Sequence, residues 1–83
     1  MPDLITIIED DESIREMLRY YFHSVGYGVE DFESGEDYFQ AVHDVQPDLY
    51  ILDIMLPGMD GLEILRRLRG APDTAHIPVI MLT

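Results

Sequence analysis

Along this chain, short unbroken apolar runs alternate with stretches in which apolar residues recur at helical spacing. Leu4 to Ile8 is β-branched and uninterrupted, as expected of a strand covered on both faces in a parallel sheet. Ile14, Met17, Leu18, Tyr21, Phe22 and Val25 then form one helical stripe, with Glu12, Arg15, Glu16 and Arg19 on its wet side. Gly26 ends that helix. Val29 to Phe32 reads as a second strand, and Ser34, three residues before Asp37, opens a second helix with a capping-box pattern. Tyr38, Ala41, Val42 and Val45 keep helical spacing until Pro47 forbids continuation. Leu49 to Leu52 is a third strand, closed by Asp53 and the turn signal Leu56-Pro57-Gly58. Leu62, Leu65 and Leu68 mark a third helix whose last turns carry Arg66, Arg67 and Arg69, complementary to the negative end of its dipole. After a loop at Gly70, Pro72 and Asp73, Val79 to Leu82 forms a fourth strand behind Pro78.

Strand and helix in strict alternation predict an α/β fold with a doubly wound parallel sheet, whose crossovers are right-handed. Such sheets bind ligands beyond the carboxyl ends of their strands, at the switch in winding order. Glu9, Asp10, Asp53 and Thr83 all fall at those ends. Two carboxylates about 4 Å apart repel by roughly 4 kcal/mol at an effective dielectric near 20, so a cluster of three calls for a divalent ion, a proton or water. Oxygen-only ligands favour Mg²⁺ or Mn²⁺ over zinc. Taken alone, Glu9 and Asp10 fit a solvated loop equally well; Asp53 and the motifs around it shift the balance toward a cation site. Asp11 and Glu12 read as helix-start charges, and Asp60 and Gly61 as the entry to the third helix. His23, His43 and His76 lack metal-ligand spacing, and the five tyrosines read as packing residues.

Composition narrows the field further. Eighty-three residues make one small domain, with 17 acidic against 5 basic side chains and a formal charge of -12. All the basic residues are arginine. That field disfavours direct contact with nucleic acid or an anionic membrane. No cysteine is present for a disulfide or a thiolate site. Nor does the N-terminus show a basic segment followed by a long apolar stretch, so a cytoplasmic location is expected.

Three separated segments, Ile7 to Arg15, Pro47 to Gly61 and Ile77 to Thr83, resemble the receiver domain of two-component response regulators in motif, order and spacing. The resemblance spans the chain and implies a flavodoxin- or CheY-like sheet. It implies that Asp53 is the phosphoacceptor, Asp10 a direct Mg²⁺ ligand, Glu9 a ligand through water, Met55 a ligand through its backbone carbonyl, and Thr83 a hydroxyl contact to the phosphoryl group. The implied partner is a sensor histidine kinase or phosphotransfer protein, and the implied role is signalling rather than enzymatic turnover. An aspartyl-nucleophile phosphatase would want a second aspartate two residues after the first, where this chain has Met55.

A complete receiver continues with a fourth helix, a fifth strand ending in a lysine, and a fifth helix. This sequence contains no lysine, and residues 1–83 read as the N-terminal two-thirds of a receiver with no effector domain. The alternative is a fragment that no longer switches and serves only as a dimerisation module. With the fourth strand left as a bare apolar edge, the 83-residue polypeptide is expected to self-associate through that edge or the neighbouring helix face. Sedimentation should show an average mass that rises with concentration; a monomer mass at every concentration rules the expectation out.

Overall fold

Leu4–Ile8 becomes the central strand because its residues are apolar on both faces and can be covered twice. The computed structural model describes residues 3–82, as β1 (Leu4–Ile8), α1 (Glu12–Ser24), β2 (Gly28–Phe32), α2 (Gly35–Gln40), β3 (Leu49–Asp53), α3 (Gly61–Gly70) and β4 (Val79–Leu82). The strands form one parallel sheet in the order β2-β1-β3-β4. Winding reverses between β1 and β3, which places the ligand-binding crevice at their carboxyl ends. The predicted α/β alternation is therefore present, with the strand order of the flavodoxin-like class.

The two faces of the sheet are unequally covered. On one, Ile8, Tyr50 and Leu52 pack against Tyr38 of α2, Ile64 and Leu68 of α3, and Leu56 and Ile77. Burial of each such side chain contributes about 1.5–3 kcal/mol. Within this layer the Tyr38 and Tyr50 hydroxyls bond one another, and burial raises the pKa of both phenols. On the other face Ile5, Ile7 and Ile51 meet only Leu18 and Phe22 of α1, with Val29, Leu49 and Leu82 alongside.

Helix α1 consequently departs from its predicted stripe. Leu18 and Phe22 face the sheet, but Ile14, Met17, Tyr21 and Val25 are exposed, Met17 by 61%. Arg15, expected on the wet side, turns inward and donates to Asp31 Oδ2 (3.1 Å) and to the Glu9 carbonyl (2.8 Å). An ionic partner on β2 outweighs hydration of this side chain, which is amphipathic enough to reach back across the helix.

Helix α2 opens as predicted, with Ser34 Oγ accepting the Asp37 N–H at 3.0 Å, but stops at Gln40, short of Ala41, Val42 and Val45. In a longer helix Val42 N–H would take the Tyr38 carbonyl. Here Ala41 N–H and His43 Nε2 donate to that oxygen instead, at 3.3 and 2.7 Å, and the imidazole stacks on the Tyr38 ring. Val42 and Val45 are left exposed. In α3 the buried face is Gly61, Ile64 and Leu68, while Leu62, predicted to be inward, is 57% exposed.

Gly61 lets α3 start in contact with the end of β3. A Cβ at this position would lie 2.5 Å from the Asp53 carbonyl oxygen and 2.8 Å from Ile54 Cα, both backbone atoms that cannot step aside alone. Gly61→Ala should therefore destabilise the fold by about 1–3 kcal/mol, the usual cost of forced overpacking, read as a lower denaturant midpoint. An unchanged midpoint would show that α3 can slide outward without loss.

Candidate acidic site at the carboxyl edge of the sheet

Parallel register carries the two acidic signals of the sequence to one place. Ile8 lies opposite Leu52 in the β1–β3 ladder, so the next residue of each strand, Glu9 and Asp53, emerges at the same level. One carboxylate oxygen from each of Glu9, Asp10 and Asp53 lies within 4.8 Å of the others. The surrounding cleft is lined by these three with Asp11, Met55 and Leu82.

Their environments differ. Glu9 is 3% exposed, Asp53 half-buried and Asp10 exposed. Glu9 N–H continues the ladder to the Phe32 carbonyl (3.1 Å), and Glu9 Oε2 accepts the Asp11 N–H (3.1 Å). Burial pushes the Glu9 carboxyl up to about 7; the Asp11 N–H opposes that rise, while Asp53 and Asp10 reinforce it. Arg15 brings a guanidinium to the Glu9 carbonyl.

Asp53 Oδ1 accepts the N–H of Met55 at 2.9 Å, so the loop after β3 folds back on the carboxylate from which it starts. Met55 lines the cleft and is 78% exposed. The Leu56-Pro57-Gly58 turn signal is realised with Gly58 at φ +71°. Asp11 and Asp60 act as helix caps, accepting from Ile14 N–H (3.0 Å) and Glu63 N–H (2.9 Å), in keeping with their reading as helix-start residues. Thr83 lies outside the described residues. Two elements of the site escaped sequence reasoning: the inward turn of Arg15, and a contact from Glu36 to the loop at Met59 N–H. Neither has a local signature, since Arg15 is drawn in by Asp31, 16 residues on, and Glu36 meets a loop 23 residues away.

The donor set suits a hard divalent cation. It consists of carboxylate oxygens converging from two strand ends, one of them buried without a neutralising side chain and protonated more readily than an ordinary glutamate. A cation among them would favour the ionised form and so offset the rise that burial causes.

Residues 5–83 match the response regulator receiver domain, and the chain belongs to that family. It is 42% identical over 79 residues to the phosphate regulon transcriptional regulatory protein PhoB of Rhizobium meliloti, covering 95% of this chain and 35% of that protein. The chain thus spans about a third of the length of such relatives. Among solved structures it superposes on the N-terminal domain of a response regulator receiver protein from Methanoculleus marisnigri with a TM-score of 0.89 and 37% identity, over 98% of this chain and 66% of that one. It has the same fold (TM-score 0.90, 24% identity, 100% and 68% coverage) as the receiver domain of the sensor histidine kinase PA1611 from Pseudomonas aeruginosa, solved with magnesium coordinated in its active-site cleft.

Glu9 ties this cluster to stability. Its folded pKa near 7 lies above the ordinary 4.5, so the folded state holds this proton more tightly than the unfolded chain. The stabilisation is full below about pH 4.5 and is lost as pH rises through 7. Metal-free protein should accordingly show a denaturant midpoint that falls between about pH 5 and pH 8, while the midpoint of Glu9→Gln lacks that fall. Parallel pH profiles for the two proteins would show that Glu9 ionises without penalty.

Proposed function

We propose that this chain is the phosphoacceptor part of a two-component response regulator, taking a phosphoryl group onto Asp53 from a sensor histidine kinase or phosphotransfer protein. The observation that carries this reading is the convergence of Asp53 with Glu9 and Asp10 at the switch point of a receiver sheet. Asp10, Asp53 and the Met55 carbonyl would hold Mg²⁺, with Glu9 acting through water; Mn²⁺ suits the same oxygen donors. When bound, the cation supplies the positive charge that lets one anion approach another.

The chain's own residues do the rest. Met55 N–H fixes the Asp53 carboxylate through Oδ1 and so limits the directions from which that group can attack. A carboxylate oxygen forms a bond to phosphorus as the donor's phosphorus–nitrogen bond breaks, and the electron pair leaves with the imidazole. The product is an acyl phosphate, whose lability suits a timed signal. Thr83, one residue beyond β4, is assigned the hydroxyl contact to the phosphoryl group on sequence grounds. Position 55 offers no carboxylate to act as general acid toward an external phosphoester, which favours a signalling role over phosphatase turnover. No helix among the described residues is long and apolar enough to cross a membrane, and we place the protein in the cytoplasm with its phosphodonor.

Self-association is a second reading for a polypeptide of these 83 residues. Ile80, opposite Ile51 on the face that α1 covers incompletely, is 49% exposed on the edge strand β4. A second copy could cover it.

Incubation with a small phosphodonor and Mg²⁺, followed by intact-mass measurement, tests the main reading. One added phosphoryl group is expected on the native chain, none on Asp53→Asn, and a markedly slower gain on Asp10→Asn. An adduct that survives in Asp53→Asn sinks the assignment.

A further inference from the structure

The loop joining Asp53 to α3 is pinned at both ends by its own neighbours. Met55 N–H donates to Asp53 Oδ1, and Gly61 N–H donates to the Ile54 carbonyl at 3.1 Å. Its middle is held from a different part of the chain. Glu36, in the first turn of α2, accepts the Met59 N–H through Oε2 at 3.0 Å. The same oxygen approaches Gly58 closely, and a Cβ there would lie 2.5 Å from it. Gly35 adds a second close approach: a Cβ there would lie 2.7 Å from Ile64 and 3.1 Å from Met59 Sδ. The start of α2 therefore closes directly on the loop that leaves the acidic site.

We propose that Glu36 is a positioning residue for that site, a latch by which α2 sets the course of residues 54–60 and with them the Met55 backbone beside Asp53. The inference rests on the reading of Met55 as a metal-site residue for its functional consequence, though the latch itself is independent of any metal. What the latch requires is an oxygen acceptor at the end of a side chain of this length. A glutamine provides one and an aspartate falls short by a methylene. The competing role for an acid in the first turn of a helix is a favourable charge near the positive end of its dipole, which makes the opposite demand, tolerating aspartate and losing its effect with glutamine.

That opposition makes the test decisive. In the full chain without metal, amide exchange at Met55 and Met59 would be followed by NMR for Glu36→Ala, Glu36→Asp and Glu36→Gln, with β1 amides reporting that each variant is folded. Exchange at both loop amides should accelerate about tenfold in the alanine and aspartate variants and stay near native in the glutamine variant. In the same proteins Mg²⁺ titration should show an affinity weakened severalfold for alanine and aspartate only. Native Met55 exchange in Glu36→Ala overturns the proposal, as does retention by aspartate with loss in glutamine. Failure of the native chain to bind Mg²⁺ would remove the functional reading instead, and the exchange data would still decide whether the latch exists.

Discussion

Three carboxylates held within 4.8 Å of one another, one of them shut away from water, form the constraint around which this molecule is organised. Their repulsion cannot be relaxed by moving the strands apart, because two of them sit at the ends of hydrogen-bonded neighbouring strands. Ile8 is fixed on one side by Phe32 and on the other by Leu52, so residue 9 has no freedom to leave the level of Asp53. The protein tempers the repulsion with a backbone N–H from Asp11 and a guanidinium at the Glu9 carbonyl. Burial, reinforced by the neighbouring carboxylates, still leaves Glu9 with a pKa of about 7, which a hard cation would lower. A raised carboxyl pKa in a cleft at the carboxyl edge of the sheet marks the cluster as a candidate binding site.

Close backbone approach, more than side-chain bonding, sets the geometry around this cluster. Gly61 allows α3 to begin against the carbonyl of Asp53, Gly35 seats α2 against Ile64 and Met59, and Gly58 makes room for the Glu36 carboxylate. The core face of α3, Gly61, Ile64 and Leu68, continues this contact into the buried layer with Tyr50 and Leu52. The loop that follows Asp53 is thereby attached to the better-packed half of the protein. Precision of this kind is what the proposed attack of Asp53 on phosphorus would demand, since small displacements of a nucleophile carry large kinetic costs.

The opposite face is organised for something else. Leu18 and Phe22 are the apolar side chains of α1 packed against the sheet, and Met17, Tyr21, Val25 and Ile80 remain in contact with water. Arg15 compensates in part by tying α1 to β2 and to the end of β1. A helix attached mainly through its first turns and a narrow apolar seam adds little stability over its outer length, so the faces of the sheet are unequal in strength as well as in coverage.

Period and punctuation in the sequence were enough to place every strand, the cap Ser34, the helix-start positions of Asp11 and Asp60, and the carboxyl-edge position of Glu9, Asp10 and Asp53, because each depends on residues close together in the chain. Apolar spacing could not tell which side of a helix would be covered. Leu62 and Val42 fit the periodic pattern yet face solvent, since coverage depends on what lies opposite and not on the helix itself. The early end of α2 came from an imidazole five residues on that captured the Tyr38 carbonyl, and the hold of Glu36 on Met59 spans 23 positions. A strand's alternation and a helix's cap are local matters of backbone geometry and hydrogen bonding, legible one segment at a time. Which carboxylate is buried, which arginine turns inward and which loop is latched are decided only when distant segments compete for the same space and the same donors.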